Sequence, residues 1–217
     1  MATFMTEAAE AAFRDAIHAI EKLSSTEVVV AVRPRLRRLL APNIAAGAVA
    51  MAAALAFMLF SEDTEFELWS IAVVPLLAAL AGGLVVEAIA PLERALVPAR
   101  ICDAIVREAA RAAFHELGVH RTKGRTGVLV FVAVRERRVV LVGDVAIVER
   151  FGDAGLARHA GALVVELPAG GEPVARALAK LADEYGGALP RAADDVNELA
   201  DLVQVRRSRR RRRGSVR

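Results

Sequence analysis

The sequence predicts an α/β fold: a small central mixed β-sheet flanked by helices, interrupted by an inserted transmembrane helical hairpin. Three observations predict it. Residues 39–61 and 68–86 are charge-free runs of 23 and 19 residues, and a helix needs about 20 apolar residues to cross the ~30 Å hydrocarbon layer. Runs rich in Val on both sides of this pair read as strands. The part before the hairpin offers one helix and one strand, so neither flank closes a core alone. The hairpin, 34–97, is therefore expected as an insertion between 1–33 and 98–205 of a single domain.

Each element has its own signal. Thr6 can cap a helix to about Leu23, with Phe13, Ile17 and Ile20 at helical spacing. Ser24 and Ser25 break it, and 26–32 reads as a buried strand. The spans follow, at about 39–61 and 68–90. Pro98 suits the first turn of a helix that ends at Gly118. Residues 126–134 are a second strand, 135–137 a charged turn, and 138–142 a third strand. Asp153 can cap a helix to about Leu167. Pro173 opens another to Tyr185, and Asp194 starts a last short helix through Val203. The long excursion between the first two strands favours their parallel pairing.

Composition fits a membrane protein with a packed domain. Of the 217 residues, 55% are hydrophobic and only 5% aromatic, so the core must be built from Ala, Val, Leu and Ile. The lone Cys102 cannot form an internal disulfide or a cysteine zinc cluster. The net charge of +3 belongs to the tail. Residues 206–217 hold eight arginines and no acid, which leaves −5 for residues 1–205.

Arginine placement predicts orientation. Arg33, Arg35, Arg37 and Arg38 precede the first span, and Arg94 and Arg100 follow the second. The connector 61–67 has four acids and no base. Both termini are expected in the cytoplasm of a bacterial inner (plasma) membrane, with the acidic connector outside. Small residues recur four apart, at Ala46, Ala50 and Ala54 and at Ala78, Ala79, Gly82 and Gly83. Such spacing lets two helices approach closely.

Three stretches outside the hairpin, 24–30, 126–134 and Gly143-Asp144, carry a resemblance to a known family: in them the flanks resemble the TPM domain family, as a two-span membrane member. Residues 24–30 (Ser-Ser-Thr-Glu-Val-Val-Val) are similar to that family's first strand. Residues 126–134 (Thr-Gly-Val-Leu-Val-Phe-Val-Ala-Val) are similar to its second. Residues 135–139 resemble the turn that follows, Gly143-Asp144 the end of the third strand, and 188–190 the close of the terminal helices. The family's usual Asp-x-Gly is here Asp144-Val145-Ala146, with alanine at the glycine. The resemblance implies a sheet between helices and a part in assembling or maintaining membrane complexes. For some members it implies weak phosphatase activity and calcium binding.

Chemistry is sparse. No Gly-x-Gly-x-x-Gly, Walker A or Gly-x-Ser-x-Gly motif occurs. His18, His115, His120 and His159 show no i, i+4 pairing and read as surface or boundary residues. The topology puts Glu27 and Asp144 at the sheet end away from the bilayer, near Arg121, Lys123 and Arg125. There they would bind a hard cation, Ca2+ or Mg2+, or pair with those cations as structural salt bridges. Lipid contact is expected from Arg33, Arg35, Arg37 and Arg38, from the turn residues Arg135, Arg137 and Arg138, and from the tail residues Arg206, Arg207, Arg209, Arg210, Arg211, Arg212 and Arg213. Each contributes about 1 kcal/mol near an anionic leaflet. Nucleic acid is the weaker partner for the tail, because the body offers no stacking aromatics. The chain thus reads as an integral membrane protein with a binding or assembly module that contacts a membrane protein partner. The alternative is a divalent-metal-dependent phosphatase by family analogy. An enzyme of that class needs several converging carboxylates or a histidine pair, and the motifs place two acids.

Overall fold

The computed structural model describes residues 4–36, 40–61, 66–191 and 203–205. The chain divides into two compact units, residues 1–36 with 103–217, and residues 37–102.

The first unit is built on a four-stranded mixed sheet. Its strands are β1 (Glu27–Arg33), β2 (Gly127–Ala133), β3 (Arg138–Gly143) and β4 (Val203–Val205), in the order β3-β2-β1-β4. β1 is parallel to β2 and β4, and β2 is antiparallel to β3. The predicted parallel pairing of the first two strands is found. Every residue of β1 and β2 is buried, which is why 28–32 and 127–133 run as apolar stretches instead of alternating.

The helices of this unit are α1 (Glu7–Leu23), α5 (Ala99–Glu116), α6 (Val145–Glu166), α7 (Gly171–Ala179) and α8 (Ala182–Ala188). Thr6 caps α1, its hydroxyl accepting the Ala9 N–H at 3.0 Å. Phe13, Ile17 and Ile20 of α1 pack on Val28, Val30 and Val32 of β1. Leu156 and Leu163 of α6 and Val174 and Leu178 of α7 complete that core. α5 lies on the other face of the sheet. Its Asp103 holds Arg138 of β3 at 2.7 Å, and its Val106, Ala110 and Phe114 are buried.

Gly127 is required where it stands. A Cβ there would lie 2.1 Å from the Val119 carbonyl oxygen, in the short 3-10 turn Val119–Arg121. Backbone against backbone leaves no room to relax.

The structure corrects three expected boundaries. α6 begins at Val145 under an Asp144 cap, eight residues before Asp153. Gly152, at φ 63°, interrupts its helical backbone, and the run expected from Asp153 continues beyond that kink. The helix expected over 173–185 is two helices, α7 and α8, with Lys180 and Leu181 between them. The helix expected from Asp194 lies outside the described residues up to 202, and Val203 belongs to strand β4. A three-residue strand has too little period to be read, and its partner lies some 170 positions away in β1.

The second unit holds α2 (Leu40–Phe60), α3 (Leu68–Ala88) and α4 (Ala90–Leu96). α2 and α3 pack as a hairpin-like pair. A Cβ at Gly47 would lie 2.7 Å from the Ala79 carbonyl oxygen, and one at Gly82 would lie 2.8 Å from Ala50 Cβ. The small-residue stripes do bring the two backbones together. Ala41–Phe60 and Leu68–Ala88 are long and apolar enough to cross a membrane. Core helices of soluble proteins are mostly buried, whereas here Leu76 is 64% and Leu80 61% exposed.

Candidate functional site

The starts of β1 and β2 and the end of β3 meet at one end of the sheet, and register collects the acids there. Glu27 sits opposite Gly127, and Val128 opposite Gly143. The Asp144 N–H donates to the Gly127 carbonyl at 2.9 Å. Glu27 and Asp144 therefore share this end, with Gly127 between them. Their backbones stand two strand spacings apart, about 10 Å.

Their surroundings differ. Asp144 is 5% exposed. Its Oδ1 accepts the Val145 N–H at 2.8 Å, capping α6, and lies 3.2 Å from Arg125 Nε. Its Oδ2 is buried with no hydrogen-bond partner. Arg125 adopts a left-handed backbone, φ 53°, and its carbonyl accepts the Ala146 N–H at 3.2 Å. The loop before β2 and the start of α6 are thus tied twice, by backbone and by side chain.

Glu27 instead lines a polar cleft of about 350 Å³ with His18, Glu21, Lys22, Thr26 and Arg191. Glu21 Oε1 accepts the Val28 N–H at 3.2 Å, and the Arg191 guanidinium donates to the Glu21 carbonyl at 3.1 Å. Asp144 does not line this cleft. Calcium takes six to eight oxygens. Asp144 Oδ1 is already engaged, and among the described residues no three His, Cys, Asp or Glu gather to hold a metal. Glu27 and Asp144, among the described residues, therefore fall short of a calcium or magnesium site.

The other end of the sheet carries the turn between β2 and β3. The Val134 N–H donates to the Arg33 carbonyl at 3.0 Å, and the Arg135 N–H to the Pro34 carbonyl at 3.2 Å. Glu136 Oε1 accepts the Leu36 N–H at 3.1 Å. These bonds fasten the turn to the chain leaving β1. Arg137 is exposed there, while Arg35 and Arg135 are half-buried. Arg33, expected among the lipid contacts, is 8% exposed, its guanidinium 6.0 Å from the Phe131 ring centre. It is the last residue of a strand buried along its whole length, and its side chain is buried with it. Arg138 is bound to Asp103. Arg37, Arg38 and the tail residues from Arg206 to Arg213 lie outside the described residues.

A third cluster was not legible. His159, expected at a surface or boundary, is 2% exposed. Its Nε2 lies 3.1 Å from Glu184 Oε2 and its Nδ1 3.4 Å from the Tyr185 hydroxyl. Arg158 pairs with the same Glu184. Burial, and then the Glu184 charge, push the Tyr185 hydroxyl well above the ordinary tyrosine range. The signal available in the sequence was a lone tyrosine next to an acid on an apolar stripe, which names no partner. Glu21 and Arg191 were missed for the same reason, being 170 positions apart.

No family model and no curated protein matches the chain. Among solved structures it is similar to the NMR structure of the BA42 protein from the psychrophilic bacterium Bizionia argentinensis. The identity is 20%, the match covers 91% of this chain and 92% of that one, and the TM-score is 0.52. That likeness concerns the fold alone.

Proposed function

We propose that the chain is a two-span membrane protein of TPM-like character, whose α/β domain serves as a binding module for assembling membrane complexes. One observation carries this reading. The closely packed, outwardly apolar pair α2 and α3 is inserted between β1 and α5 of a domain with its own sheet and core. Large apolar side chains exposed along both helices need lipid or protein to cover them. The resemblance of the strand motifs to the TPM family supports the assembly role, and arginine placement supports cytoplasmic termini in an inner membrane. The arginine tail, through Arg206 to Arg213, and the exposed Arg137 then act as contacts to anionic lipid.

The test uses the full chain in its native membrane. After alkaline carbonate washing it should remain with the membranes. After cross-linking and mild detergent it should migrate as a complex larger than its own 23.1 kDa. Migration at its own mass under both conditions would end the assembly reading. The phosphatase alternative makes a separate prediction: metal-dependent turnover of a simple phosphate monoester by the purified full chain.

A further inference from the structure

The exposed side of β3 is an open sheet edge set in a groove. β3 is the outermost strand of the sheet. In an antiparallel pair, residues exchanging both backbone bonds alternate with residues that exchange none. The bond from the Asp144 N–H to Gly127 O fixes the phase. Arg138, Val140 and Val142 thus turn their backbone groups to β2, and Val139, Leu141 and Gly143 turn theirs outward. Among the described residues no strand receives them. Exposed sheet edges are templates for pairing with another chain unless something covers them.

The groove over this edge has a volume of about 680 Å³. α5 walls it from one face of the sheet and α6 from the other. The two walls differ in chemistry. Arg107 and Arg111, one turn apart on α5, are exposed and form no ion pair among the described residues. On the α6 wall Leu156, Ala157, Ala160 and Gly161 form an apolar stretch that begins beyond Asp153. A Cβ added at Gly161 would meet nothing within 4 Å.

We propose that this groove binds an extended segment of a partner protein as a fifth strand on β3, one whose residues alternate acidic and small apolar. Side chains of a strand alternate between faces. An added strand therefore points every second residue at Arg107 and Arg111, and the others at Leu156, Ala160 and Gly161. Main-chain bonds to Val139, Leu141 and Gly143 give affinity, and the two walls give the sequence preference. The inference rests on the assembly reading and names the chemistry of the partner.

The experiment uses the full chain in phosphatidylcholine nanodiscs and a seven-residue peptide alternating glutamate and valine. The control is the same peptide, beginning and ending in glutamate, with its central valine replaced by proline. It keeps the charge that the arginine tail would attract but cannot extend a sheet. The alternating peptide should slow amide exchange at Val139, Leu141 and Gly143 at least tenfold, and the proline peptide should not. The Arg107→Glu/Arg111→Glu variant, changed only at exposed positions, should weaken binding at least tenfold. Gly161→Leu, filling the groove from α6, should do likewise. Unchanged exchange at those amides under saturating peptide would overturn the proposal. So would equal affinity in both variants. Protection without peptide that vanishes on dilution would mean that a second copy fills the groove, and would also overturn it. A native complex that persists in the double-charge variant would sink the groove while leaving the assembly reading standing.

Discussion

Asp144 Oδ1 accepts the Val145 N–H at 2.8 Å and lies 3.2 Å from Arg125 Nε. One buried carboxylate oxygen thus starts α6 and fastens it to the loop before β2. Capping bonds of this kind contribute about 1 kcal/mol. The Arg125 partner is half-exposed, so its contribution is screened and small. Asp144→Ala should lower stability by about 1–2 kcal/mol in urea denaturation of the detergent-solubilised chain. Millimolar calcium should leave the wild-type melting temperature unmoved. A calcium-induced rise abolished by Glu27→Gln would restore the cation reading.

Gly127→Ala is expected to be among the most damaging single-methyl changes in the domain. The added Cβ meets the Val119 carbonyl oxygen at 2.1 Å, and overpacking a tight site costs about 1–3 kcal/mol. Gly187→Ala meets nothing within 4 Å and should be neutral by comparison. Parallel thermal melts of the two variants check this.

Tyr185 predicts alkaline sensitivity. Its hydroxyl titrates above the ordinary range in the folded chain, so the native state keeps it neutral at pH values where the unfolded state ionises it. Its contribution to stability is fully present below about pH 10, the unfolded value. It is lost as pH rises from there through the folded value. The chain has a single tyrosine, so the phenolate absorbance band reports on it alone. The band should appear together with unfolding, and Tyr185→Phe should flatten the fall in stability above pH 10. A phenolate signal at ordinary tyrosine pH in a folded chain would contradict the burial argument.

Much of this fold could be read from residues. β1 and β2 announce themselves because burial on both faces leaves Val-rich apolar runs, 28–32 and 128–133, and their parallel pairing follows from the long excursion between them. α1 is marked by Thr6 and the Phe13-Ile17-Ile20 stripe. The small residues of α2 and α3 forecast their close approach. Other features depend on tertiary neighbours that no local pattern encodes. β4 exists because Val203–Val205 finds the edge of β1. His159 is buried because Glu184 and Tyr185 reach it from α8. For the candidate site, topology brought Glu27 and Asp144 to one end, but not the direction each side chain takes. Gly127 between them, the Asp144 cap and the Glu21–Arg191 contact part their surroundings.

Close approach of α2 and α3 gives a further prediction. Gly47→Leu places a branched side chain where even a Cβ would lie 2.7 Å from the Ala79 carbonyl oxygen. Paired cysteines at Ala50 and Ala79, in a Cys102→Ser background, should cross-link readily with glycine at 47 and at least fivefold more slowly with leucine there. Equal rates would show that the helices do not rely on this contact.

The central claim is a domain held on the cytoplasmic side by a hairpin that crosses the membrane. Labelling of single cysteines by an impermeant thiol reagent in intact cells tests it most directly. Thr64→Cys reports on the acidic connector. Glu172→Cys, at an exposed position on α7, reports on the α/β domain. With Cys102→Ser as background, the account predicts labelling of Thr64→Cys in intact cells and of Glu172→Cys only after lysis. Labelling of Glu172→Cys in intact cells, with Thr64→Cys reached only after lysis, would contradict it.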